Sequence, residues 1–162
     1  MKKINKKLNF KTKNIELIIR PSARIKSRQW WKKVINHLKD KIKVYSKKKK
    51  INLFENYCYT LLITNNSEIK KTNYKFRKIN KPTDVLSFHL KLNEQKKQNY
   101  LGDIMISLET AKRQAKQKGI KLEKELKTLL IHGYLHLIGY DHKLEKEAKI
   151  MFSLQNNLLK EI

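Results

Sequence analysis

Three of the five histidines in this 162-residue chain fall within eleven residues, HGYLHLIGYDH, from His132 to His142. His132 and His136 are four apart, the spacing that puts two side chains on one face of a helix. Gly139 stands where a glycine can take the left-handed backbone that ends a helix, and the chain can then double back to bring His142 to the same spot. Three neutral imidazoles converging in this way suit a zinc ion whose fourth position stays open to water, the pattern of a catalytic site more than a structural one. Zinc is the expected metal, and nickel, copper and cobalt also accept imidazole.

The spacing repeats that of the metzincin proteases, H-E-x-x-H-x-x-G-x-x-H, with one difference. Gly133 occupies the position of the glutamate that serves those enzymes as general base. A peptidase built here would lack its base, so the same ligand geometry points to another hydrolysis. A lone histidine is usually a core residue with its hydrogen bonds satisfied, but three at this spacing beside a turn glycine and an acid argue against that. The acid, Asp141, has three readings: a carboxylate that orients a ligand imidazole, a general base, or a turn stabiliser. The first is favoured.

These residues need elements to hold them. Leu122 to Ile138 reads as a long helix, apolar on most sides in its second half and therefore buried, with His132 and His136 in that half. A buried polar side chain needs a partner, and a metal supplies one. Upstream, IELII, TDVLSFHL (Thr83–Leu90) and LGDIMIS (Leu101–Ser107) read as strands, as does the aromatic, β-branched YCYTLLIT (Tyr57–Thr64). Ser22 or Ser27 is placed to cap a helix carrying Trp30, Trp31, Val34, Ile35 and Leu38. Core packing is the expected role of the two tryptophans, with base stacking the alternative. Ser67 is placed to cap a helix to about Arg77, and Ser107 another that ends before Gly119. Lys91 to Asn99 reads as a polar loop. A last helix from about Leu144 packs Ala148, Met151, Phe152, Leu154 and Leu158.

The expected architecture is α+β: a single domain over residues 14–162, with a small mixed sheet of about four strands packed by about five helices. Residues 1–13 read as a basic flexible tail. The basic N-terminus lacks the apolar core of a signal peptide, and no apolar run could span a bilayer, so a cytoplasmic protein is expected. The single cysteine, Cys58, reads as a small core residue. The net charge is +25, from 39 Lys+Arg against 14 Asp+Glu. A polyanionic partner is favoured, although enrichment in Lys, Asn and Ile together also fits an A/T-rich genome.

Three blocks of the chain resemble the YbeY family of bacterial metal-dependent endoribonucleases: FRKINKPTDVLSF (Phe76–Phe88), LGDIMIS, and HGYLHLIGYDH. The tail MFSLQ, Met151 to Gln155, is similar too, so the resemblance covers roughly residues 50–160. It implies a zinc ion on His132, His136 and His142, and it makes Arg77 the family's arginine, whose planar fork suits a phosphate. Arg77 and His132 are then the expected catalytic residues. The implied activity is hydrolysis of single-stranded RNA, in maturation of the 3′ end of 16S rRNA and in ribosome quality control. Zinc would activate a water and polarise a phosphoryl oxygen, Arg77 would stabilise the developing charge, and the lysines would draw in RNA. Asp84, in the first block, is expected to fix backbone near Thr83. One departure is His89, where the family usually has proline. Two alternatives stay open: a metal hydrolase on another substrate, and a ribosome- or RNA-binding protein whose zinc is structural, with His89 as a fourth ligand. Oligomeric state is not legible.

Overall fold

In Cys58–Thr64 the side chains alternate: Tyr59, Leu61 and Ile63 are buried on one side of the strand, and Leu62 turns to the other. A computed structural model of the chain describes residues 8–12, 15–19, 27–48, 57–91, 93–95 and 99–162. In it that strand (β3) is the middle of a mixed sheet with β1 (Leu8–Thr12), β2 (Ile15–Ile19), β4 (Val85–His89) and β5 (Tyr100–Ser107). The order across the sheet is β1-β2-β3-β5-β4. The three central strands run parallel, and the two edge strands are antiparallel to their neighbours.

The sheet thus has the four strands expected, plus one. The addition is β1, from the segment read as a flexible tail: Leu8 pairs opposite Ile19 and Thr12 opposite Ile15. The stretch LNFKT is too short to specify a strand by itself, and what recruits it is the free edge of β2. Residues 1–7 and 13 of the expected tail lie outside the described residues, as does Ser22.

Among the described residues five helices of ten residues or more accompany the sheet: α1 (Arg28–Lys48), α2 (Asn66–Arg77), α3 (Leu108–Gln117), α4 (Leu122–Leu137) and α5 (Glu145–Glu161). Ser27 Oγ accepts from the Trp30 N–H at the start of α1, and Ser107 Oγ accepts from the Thr110 N–H at the start of α3, as expected. The cap of α2 is Asn65, not Ser67: its Oδ1 accepts from the Glu68 N–H at 2.9 Å. Both residue types cap well, and the helix simply begins where β3 ends. The segment read as a polar loop contains a helical turn at 93–95, in which Gln95 is buried. Its Nε2 donates to the carbonyls of Leu101 and Leu137, both at 3.2 Å, tying the loop to an unpaired carbonyl at the end of α4.

The main core lies on one face of the sheet, where Leu17, Ile19, Tyr59, Leu61, Ile63, Ile104 and Ile106 meet α1, α4 and α5. Trp31 is buried in it, and Trp30 packs edge-on to Trp31, so core packing is the role of the pair. α4 is the central helix, with Leu126, Leu129, Leu130, Ile131, Leu135 and Leu137 all buried. Side chains of this size contribute about 1.5–3 kcal/mol each when removed from water, which holds α4 rigidly against the sheet. A smaller cluster on the opposite face joins Ile69 of α2 to Leu86, Met105, Leu62 and Phe88. Cys58 is half-buried. Among the described residues no helix is long and apolar enough to cross a membrane.

Candidate metal centre

Gly133 sets how closely α4 approaches the sheet. A Cβ there would lie 2.8 Å from Ile104 Cγ2 and 3.0 Å from Ser87 Oγ, so any side chain at this position meets strands β4 and β5. The metzincin glutamate has no space here. Its neighbours His132 and His136 instead project from the flank of α4 towards the edge strand, where their rings come together with that of His142.

The turn that delivers His142 is closed by backbone bonds. The Gly139 N–H donates to the His136 carbonyl (3.1 Å) and the Tyr140 N–H to the Leu135 carbonyl (3.0 Å), the pair of bonds that ends a helix in a left-handed residue. Gly139 has φ +91°, which glycine adopts without penalty. Beyond it Asp141 Oδ1 accepts from the His142 N–H at 2.8 Å, and Oδ2 pairs with Lys143 Nζ at 2.9 Å. Those two contacts hold the Asp141 carboxyl below its usual range, Lys143 contributing most. Both oxygens are therefore engaged by the turn and its lysine rather than by an imidazole, the turn-stabilising arrangement among the three readings.

The orienting contact comes from α5. Gln155 Oε1 lies 3.0 Å from His132 Nδ1, which can therefore keep its proton and leave Nε2 with a free lone pair. The Nε2 atoms of His132 and His136 are 3.2 Å apart, and one ligand atom from each of the three histidines lies within 4.8 Å of the others. Two nitrogens bound tetrahedrally at zinc distances stand about 3.4 Å apart, so this pair is already spaced for an ion, and the exposed His142 ring closes the set. Burial lowers the pKa of His132 and, with the neighbouring rings of His132 and His142, brings that of His136 down to about 4. Unprotonated imidazoles are the form that ligates, and the donor set fits a divalent transition metal. Phe152 of α5, expected in the core, is instead partly exposed and stacked on the His142 ring, with centroids 5.7 Å apart and planes at 15°.

The histidines line a cleft of about 350 Å³ together with Arg77, Asp84, Ser87, His89 and Lys143. Arg77 is the last residue of α2, exposed, and among the described residues no carboxylate pairs with it. Asp84 fixes its own loop: Oδ1 accepts from the Val85 N–H (2.8 Å) and from Thr83 Oγ1 (3.0 Å), and Oδ2 accepts from Gln114 Nε2 (2.9 Å). Burial alone would raise its pKa, but these donors outweigh it and hold the carboxyl below its usual value. His89, at the end of β4, lines the same cleft but is not among the three clustered ligands.

The family model described as "Endoribonuclease YbeY" matches residues 18–162, nearly the whole chain. The chain belongs to this family. Proteins named "Endoribonuclease YbeY" from Acholeplasma laidlawii and Sulfurihydrogenibium are among its relatives. The first is 48% identical over 61% of this chain and 70% of its own length, the second 38% identical over 91% and 93%. The fold is similar to the solution structure of TM1509 from Thermotoga maritima, with TM-score 0.60 and 29% identity over 91% of this chain and 87% of that one. YbeY membership agrees with the resemblance carried by the three sequence blocks, and the histidines that cluster here are those of the third block. Gln155 and Phe152 were the site neighbours that local reading missed. Their only sequence signal was membership of MFSLQ, because nothing local says that α5 folds back over α4.

Proposed function

We propose that this protein is a metal-dependent endoribonuclease that cleaves single-stranded RNA, with zinc on His132, His136 and His142. The observation that carries the reading is the cluster of three imidazole nitrogens within 4.8 Å, in an open cleft that also holds Arg77. A bound divalent ion would supply Lewis acidity there, acidifying a water and drawing charge from a phosphoryl oxygen. The chain's own residues do the rest. Gln155 fixes the His132 tautomer, the Asp141–His142 turn carries the third ligand, and Phe152 shields the rings from one side. Arg77 offers a planar, permanently charged fork to a phosphate, the group on which charge develops as the phosphodiester is attacked. The surplus of lysines raises the local concentration of the polyanion.

The substrate in this reading is ribosomal: the strand matured at the 3′ end of 16S rRNA, with the ribosome as partner and the cytoplasm as the place of action. Family membership supports it, as does the net charge of +25. An open cleft with an exposed third ligand favours a catalytic over a structural ion, which would be enclosed by four protein ligands.

The test is cleavage of a labelled single-stranded RNA by purified protein, with chelator and then with zinc restored, beside a His132→Ala, His136→Ala variant. Metal-restored cleavage that the variant lacks is the expected result. Cleavage unaffected by chelator, or equal in the variant, would sink the reading. The same assay on ribosomes bearing unprocessed 16S rRNA tests the proposed substrate.

A further inference from the structure

We propose that Phe76, at the end of α2, is a stacking platform for an unpaired base of the RNA strand whose phosphate enters the cleft beside Arg77. This rests on reading the protein as a ribonuclease and extends that reading to a subsite outside the metal centre.

Phe76 is 60% exposed, an unusual state for a phenylalanine. Its ring is nonetheless held in place. It packs against Phe88 of the edge strand β4, with centroids 4.9 Å apart and planes tilted by 52°. Of the six large apolar side chains most exposed among the described residues, three, Tyr74, Phe76 and Ile79, fall within six consecutive positions. The surroundings are cationic. Residues 69–83 contain Lys70, Lys71, Lys75, Arg77, Lys78 and Lys81, all exposed, and no acid. Lys75 Nζ sits over the Phe76 ring, 5.2 Å from its centroid, a cation–π contact that a stacking base would displace, freeing the ammonium for the neighbouring phosphate.

An exposed aromatic within a run of cations suits a polyanion carrying flat apolar groups, and a protein partner would have to bring its own acidic complement. It also suits a single strand over a duplex, whose bases have no free faces. The platform is continuous with the cleft. Arg77 follows Phe76, His89 follows Phe88, and both Arg77 and His89 line the cleft. Alternate residues of a strand point to opposite faces, so Ser87 and His89 face the metal centre while Leu86 and Phe88 face α2. A strand of RNA lying across the β4 edge would set a base on Phe76 and the adjoining phosphate at Arg77.

The experiment is binding, read by fluorescence anisotropy, with the full chain kept in chelator so that nothing is cut. The probes are an unstructured oligoribonucleotide, the same strand with abasic positions, and a duplex. Phe76→Ala is expected to weaken binding of the base-bearing strand by about tenfold and to leave the abasic strand and duplex unchanged. Phe76→Trp is expected to keep wild-type affinity. The salt dependence should be unchanged in Phe76→Ala and shallower in Lys75→Gln. Equal affinity of Phe76→Ala and wild type for the base-bearing strand, or an equal loss on base-bearing and abasic strands, would overturn the platform. In either case a wild type that still cleaves RNA leaves the ribonuclease reading standing. A wild type that binds no RNA in chelator overturns the platform, and zinc-restored cleavage then decides the ribonuclease reading separately.

Discussion

Gln155 of α5 meets His132 of α4 through one hydrogen bond, Oε1 to Nδ1 at 3.0 Å, and by it the C-terminal helix fixes which nitrogen of a candidate ligand faces the site. Removing an outer contact of this kind typically costs ten- to hundredfold in metal affinity. Gln155→Leu should therefore weaken zinc binding by about tenfold or more, measured by competition with a chromophoric chelator, while the metal-free Tm stays close to wild type. Gln155→Glu, a stronger acceptor, should restore or tighten it. Equal zinc affinity in all three proteins would remove Gln155 from the site.

Gly133 is where helix propensity and packing oppose each other. Alanine gains about 1 kcal/mol over glycine inside a helix. Its Cβ, however, would stand 2.8 Å from a β-branched methyl of buried Ile104, and overpacking of this sort costs about 1–3 kcal/mol. The net effect of Gly133→Ala should be a loss of about 1 kcal/mol by denaturant titration. In an Ile104→Ala background the same change should be neutral or stabilising, since the clashing methyl is gone. A stabilised single variant would show that α4 can slide on the sheet.

Arg77 is exposed and serves no core, so its replacement separates activity from stability. Arg77→Ala should lower RNA cleavage by about a hundredfold with an unchanged Tm. Arg77→Lys should recover only part, because an ammonium cannot reproduce the planar fork. Full activity in Arg77→Ala would assign charge stabilisation elsewhere in the cleft.

Asp84 gives a pH prediction. Its folded pKa is depressed by Gln114, Val85 and Thr83, so the ionised carboxylate stabilises the fold. That contribution is fully present above the unfolded value of about 3.9 and is lost as pH falls through the lower folded value. The Tm difference between wild type and Asp84→Asn should be constant from pH 7 to about 5 and shrink below about 4. A difference that persists unchanged at pH 3 would mean that Asp84 acts through shape and not charge.

What the sequence by itself determined was local. The four-residue spacing of His132 and His136, the glycine that ends their helix, the serine cap at 107, the choice of Ser22 or Ser27 as cap of α1, settled as Ser27, and the strand at β3 all depend on residues within a turn or two of one another. The candidate ligand set was legible for the same reason: eleven consecutive residues contain all three clustered histidines. The tertiary structure decided what meets across distance in the chain. It brought β1 onto a free strand edge, gave the contact on His132 to Gln155 of another helix, laid Phe152 on His142, and carried Arg77 and His89 to one cleft from two elements. It also explained Gly133, which reads as a missing base and is in fact the contact between helix and sheet. Periodicity reports which face of an element is buried, but strand order and helix docking arise from the competition of many such faces for one core, and no single segment encodes them.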